Sequence, residues 1–160
     1  VYKYSDSSYG QDSITSIVIL GNLSLNGEEI ESIHRDYLAE EDRFRKYLLS
    51  YLLAKRTQEI DYIEYFIAES DHYLEFLKEN GTDWVSIANP IYETLSNYST
   101  TNDDALEVVL KLSQLVDGAN ASIVSGDIKM NYELNQIRVL DISSELGIGK
   151  EELLGLMVEE

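Results

Sequence analysis

Glu31-Ser-Ile-His34 and Glu69-Ser-Asp-His72 contain both histidines of the chain, each three residues after a glutamate. On a helix that spacing sets carboxylate and imidazole on one face, a turn apart. Two such pairs, joined by glutamates from further helices, can hold paired metal ions inside a bundle. The chemistry at issue is therefore metal binding. It requires that both motifs point to one place.

The elements that carry them can be read from the sequence. Asn26 and Glu29 have the spacing of a capping box, and Leu25 and Ile30 that of a hydrophobic staple, so a helix should start there. No Gly or Pro occurs from Glu28 to Asn80, and Gly81 supplies a stop. One unbroken helix would run about 80 Å. The apolar stripe fails at Lys55–Glu59, which predicts two helices, 27–54 and 58–80, folded as an antiparallel hairpin.

On a wheel of about 100° per residue, Ile30, Ile33, Tyr37, Phe44, Leu48, Tyr51 and Leu52 define the inward face of the first helix. His34, Glu41 and Arg45 fall within that arc. Glu69 falls inside the wide apolar arc of the second helix, and His72 at its border. With a turn near residue 56, His34 comes level with Glu79 rather than His72. The two histidines are then offset by about 10 Å along the axis, too far to share one ion. Glu41, Arg45, Glu69 and His72 instead come level, as an interior polar cluster. Buried charge must be paired, so a salt-bridge cluster is the expectation, Glu41 with Arg45 and Glu69 with His72. A metal site built from Glu41, Glu69 and His72 is the competing reading, and the arginine argues against it.

Elsewhere the pattern is helical. Residues 1–12 read as a flexible N-terminal segment and 13–160 as a single helical domain. Residues 13–21 and 127–142 fit either helix or strand, and helix is preferred because few partner strands exist. Pro90 suits the first turn of a helix reaching to 99. Residues 105–124 read as one amphipathic helix with Ala105, Val109, Leu112, Val116 and Ile123 on its inner face. Residues 143–157 read as two short helices about Gly147–Gly149. This resembles a helix-turn-helix only superficially: from Lys150 to Glu160 one lysine stands among four glutamates, which cannot grip phosphates. The bases from Arg35 to Arg56 are spaced for ion pairs within their own helix. The fold expected is all-α, a bundle of about six helices built on the hairpin at 27–80. The 12 tyrosines are expected mainly at core edges.

Composition sets the function class. Thirty Asp and Glu oppose 12 Lys and Arg, a formal charge of −18. Such a surface repels nucleic acid and anionic lipid and suits a basic protein partner. There is no cysteine, hence no disulfide or thiolate site. No nucleophile elbow or phosphate loop is present, so no catalytic residue and no cofactor is assigned, and an enzyme is the less favoured class. The function expected is a non-enzymatic acidic binding protein of inhibitor, immunity-like or nucleic-acid-mimic type. The alternative is a helical bundle that binds a metal or small ligand through its Glu/His cluster. No membrane association is expected, and a homodimer is compatible with the composition. The start at Val1 is what an exported, periplasmic protein would show after loss of a leader; a cytoplasmic chain cut at that point would read the same.

Overall fold

The computed structural model describes residues 7–158, with side chains from residue 10 onward, and every regular element among them is helical. The all-α class follows directly. Eleven helices stand among the described residues where about six were expected, because the long ones are divided. The chain separates into two compact units, one ending at Ile91 and one starting at Tyr92.

Unit 1 contains α1 (Ser7–Asn22), α2 (Gly27–Ala39), α3 (Arg43–Thr57), α4 (Ile60–Ala68), α5 (Asp71–Asn80), α6 (Trp84–Ile87) and the start of α7 (Asn89–Ser99). Residues 13–21 are helix, and α1 already begins at Ser7, ahead of the expected boundary. Residues 1–6 of the expected N-terminal segment lie outside the described residues.

α2 starts on the capping box read from the sequence. The Glu29 amide donates to the Asn26 side chain at 3.0 Å, and the Asn26 amide donates to the Glu29 carboxylate at 2.7 Å. The helix ends at Ala39 rather than near 54. Asp42 is the cause: its carboxylate accepts from the Arg45 amide at 2.8 Å and caps α3, an arrangement that competes with helix continuation. The end of α3 falls where the apolar stripe fails, with Gln58 in the left-handed region at φ 58°. A further break follows at Ser70, whose hydroxyl donates to the Phe66 carbonyl at 2.8 Å. The expected hairpin is thus four shorter helices.

α3 is the hub of this unit. It packs against α1, α2, α4 and α5, and eight of its 15 residues are buried. Its aromatic rings stack outward from it: Phe44 on Phe76 at 5.3 Å and Tyr47 on Phe66 at 5.2 Å between centroids. α2 is different. It has no buried residue and lays half-buried Ile30, Ile33 and Tyr37 over Leu53, Ala54 and Tyr62.

Unit 2 holds the remainder of α7 and α8 (Asp103–Ser113), α9 (Gly118–Leu134), α10 (Gln136–Glu145) and α11 (Lys150–Leu156). The helix expected over 105–124 breaks after Ser113. Asp117 is extended and Gly118 has φ 53°, so that pair begins α9 instead. Residues 127–142 are helical apart from Asn135, whose side chain accepts from the Arg138 amide at 3.1 Å and caps α10. Leu106, Val109, Leu110, Val124, Ile128 and Val139 are buried where α8, α9 and α10 meet. Residues 146–149 form a packing corner: Gly147 sits at φ 77° and Ile148 is buried beneath it. Tyr47, Tyr51, Tyr73 and Tyr92 are fully inside rather than at core edges. Among the described residues no helix is long and apolar enough to cross a membrane.

Candidate functional site

The two Glu-x-x-His motifs have different surroundings. His34 lies on α2, half-buried, with Nδ1 hydrogen-bonded to the Tyr62 hydroxyl and its ring edge-on to that of Tyr62 at 5.9 Å. It therefore faces the first turns of α4, not Glu79. The break at residues 40–42 accounts for the shift, since the expected register assumed one continuous helix through them. His72 stands in the first turn of α5. Its Nε2 is 3.1 Å from Glu69 Oε2, and its Nδ1 is 3.8 Å from Glu75 Oε2.

Glu41 and Arg45 are placed apart from that pair in character. Glu41 is exposed in the α2–α3 connection. The Arg45 side chain is half exposed, and its Nε lies 3.1 Å from Glu40 Oε2. Of the four residues Glu41, Arg45, Glu69 and His72, the structure pairs His72 with Glu69 and places Arg45 beside Glu40, and neither pair is deep. Among the described residues no three acid or imidazole side chains gather closely enough to hold an ion, so Glu41 does not complete a metal site with Glu69 and His72.

Three further bases of α3 have partners other than an acid of their own helix. Arg56 Nη2 donates to three carbonyls at the end of α1: Gly21 at 2.7 Å, Leu20 at 3.3 Å, and Leu23. The Lys46 ammonium sits over the Tyr37 ring at 5.1 Å, and Lys55 donates to the Tyr51 hydroxyl at 3.3 Å. A cation at a helix C-terminus satisfies carbonyls that the helix leaves unpaired.

The more concentrated site is in unit 2 and was not foreseen. A cleft of about 600 Å³ opens between α8 and α10. Asp103, Asp104 and Glu107 line it from the first turns of α8; Arg138, Asp141, Ile142 and Glu145 line it from α10, with Asn135 and Ile137 at its end. The α10 residues follow i, i+3, i+4, i+7 spacing, which puts them on one face. That pattern was present in the sequence. Nothing local in the sequence joins the acids of 103–107 to those of 138–145.

Arg138 is the one cation of the cleft lining, and its guanidinium is engaged inward. Nε lies 2.5 Å from Asp103 Oδ1. Nη1 donates to the Ser99 carbonyl at 2.9 Å and the Thr100 carbonyl at 3.3 Å, closing the end of α7. Only 17% of the side chain is exposed. Lys111 reaches Glu107 at 2.7 Å from just outside. Asp104, Asp141 and Glu145 are all exposed around this framework. Comparison with protein families, with characterised proteins and with solved structures finds no match to this chain.

Proposed function

We propose that this protein is a non-enzymatic binding protein that captures a basic segment of a protein partner in the α8–α10 cleft. The observation that supports this is the charge arrangement. Five carboxylates line one groove, and the arginine among them turns Nε and Nη1 to Asp103 and to main-chain carbonyls. With Asp103 paired to Arg138 and Glu107 to Lys111, a lysine or arginine side chain entering the groove meets the exposed carboxylates of Asp104, Asp141 and Glu145. Such an arrangement speeds encounter and selects partners by sign. The bases of unit 2, Lys111, Lys129, Arg138 and Lys150, are too few to offset its acids. An inhibitor, a toxin-neutralising protein and a nucleic-acid mimic all operate through a surface of this kind.

The test uses a lysine-rich peptide as probe and separates groove from bulk charge. Asp104→Asn, Asp141→Asn and Glu145→Gln together should weaken binding about tenfold at low salt, and the wild-type affinity should fall as salt rises. Glu64→Gln, Glu69→Gln and Glu75→Gln remove the same charge from unit 1 and should cost much less. Equal losses in the two triple variants would reduce the effect to net charge and remove the groove from the account.

A further inference from the structure

Ile137 lines the end of the α8–α10 cleft and is 73% exposed. On α10 it stands two positions before buried Val139, about 200° round the helix, so the core does not take it. It falls instead in one row with Asp141 and Glu145, at i, i+4 and i+8, each step about 6 Å along the axis. Asn135, beside it at that end, has its side-chain oxygen engaged by the Arg138 amide. Across Asn135, Leu134 closes α9 and is 65% exposed, and Met130, a turn earlier on the same face, is exposed too. A single apolar side chain on a surface needs no explanation, but three in close succession that continue an open cleft mark a contact surface. An acidic row thus runs into an apolar end.

We propose that the segment captured in the cleft is amphipathic: its basic side chains lie along Asp141 and Glu145, and an apolar side chain at one end packs on Ile137 and Leu134. This deepens the capture of a basic segment proposed above and rests on it. Charge selects the occupant. A second copy would bring a formal charge of −18 against the same charge, so self-association through this face is opposed. A purely cationic segment would leave Ile137 in water, whereas a leucine or phenylalanine placed there removes apolar surface on both sides. Along α10 the apolar contact and the two acids span about 12 Å. A helical segment matches that span with an apolar residue at i and lysines at i+4 and i+8. Opposite charge then brings the segment to the cleft, and the apolar contact sets its direction there and discriminates against basic segments that lack it.

The probes are two helical peptides of equal charge, with lysines at i+4 and i+8 and either leucine or serine at i. Fluorescence anisotropy with the full chain at low salt measures both. The leucine peptide should bind about tenfold tighter than the serine peptide. That ratio should collapse in Ile137→Ser and persist in Leu38→Ser, which removes a comparably exposed side chain from unit 1. Both positions are on the surface, so both variants should keep the wild-type far-UV circular dichroism. Equal affinity for the two peptides, with binding still weakened by joint Asp104→Asn, Asp141→Asn and Glu145→Gln, overturns the apolar contact and leaves charge capture standing. Binding of neither peptide, or binding indifferent to those three substitutions, overturns both. A ratio that survives Ile137→Ser puts the apolar contact elsewhere and overturns the proposal. So does a dimer in analytical ultracentrifugation that Ile137→Ser abolishes, since a second copy would then cover this end.

Discussion

Arg56 and Arg138 show what single residues do in this protein. Each reaches the carbonyls at the end of a helix more than 30 positions away in sequence: Arg56 closes α1, and Arg138 closes α7. At Arg138 the planar fork serves a carboxylate through Nε and two carbonyls through Nη1, which an ammonium cannot copy. Arg138→Ala should therefore destabilise the protein by about 2 kcal/mol in urea unfolding, the scale of charged hydrogen bonds left unmade, and Arg138→Lys should recover little of it. Asp103→Asn, by contrast, alters the exposed partner of the ion pair and leaves the carbonyl bonds in place, so it should cost under about 1 kcal/mol. Neither arginine's role was legible in the sequence, because main-chain carbonyls carry no residue signature. The tyrosines add a pH dependence. Burial holds the hydroxyls of Tyr47 and Tyr73 above their ordinary range. The folded chain then binds those protons more tightly than the unfolded chain, whose tyrosines titrate near about pH 10. Stability is full below that value and falls as pH rises beyond it. Absorbance near 295 nm should show these two ionising only together with loss of helix; ionisation while the helix signal persists would contradict their burial.

At the scale of elements, the helix class was legible and the breaks were not. The capping box at Asn26–Glu29 and the stop at Gly81 are local signals, and both act as read. The Asp42 cap was equally local, yet it sits in a run of good helix formers, and propensity alone favours continuing through it. Asp117-Gly118 is a turn dipeptide that amphipathic periodicity concealed. The motif pairing failed for the same reason, since a register counted through an unbroken helix misplaces everything beyond Ala39. The breaks have a dynamic consequence. α2 holds its fold by its own cap and by half-buried contacts with Leu53, Ala54 and Tyr62, whereas α3 is buried on most sides. Local opening should therefore release α2 first. Native-state hydrogen exchange should find α2 amides exchanging at least about tenfold faster than those of α3. Equal protection would mean that α2 opens only with the whole unit. His34→Ala should widen the difference by removing the bond to Tyr62.

At the scale of the whole molecule, acidity is the property that the sequence states most plainly and the arrangement makes specific. A charge of −18 on 160 residues is in itself a statement about solubility and encounter, not about a site. The site comes from topology: α8 and α10 bring two separate acidic runs to one cleft, and Arg138 stitches its base. For the proposed partner, composition indicates a sign of charge but no place of binding. The central claim is that the place is the α8–α10 cleft. Amide chemical-shift mapping of the full chain, titrated with a lysine-rich peptide at low salt, tests it most directly. Perturbations should concentrate on residues 103–107 and 138–145 and be reduced by Asp141→Asn. Perturbations spread evenly over the acidic helices of both units, or centred on α2, would contradict it.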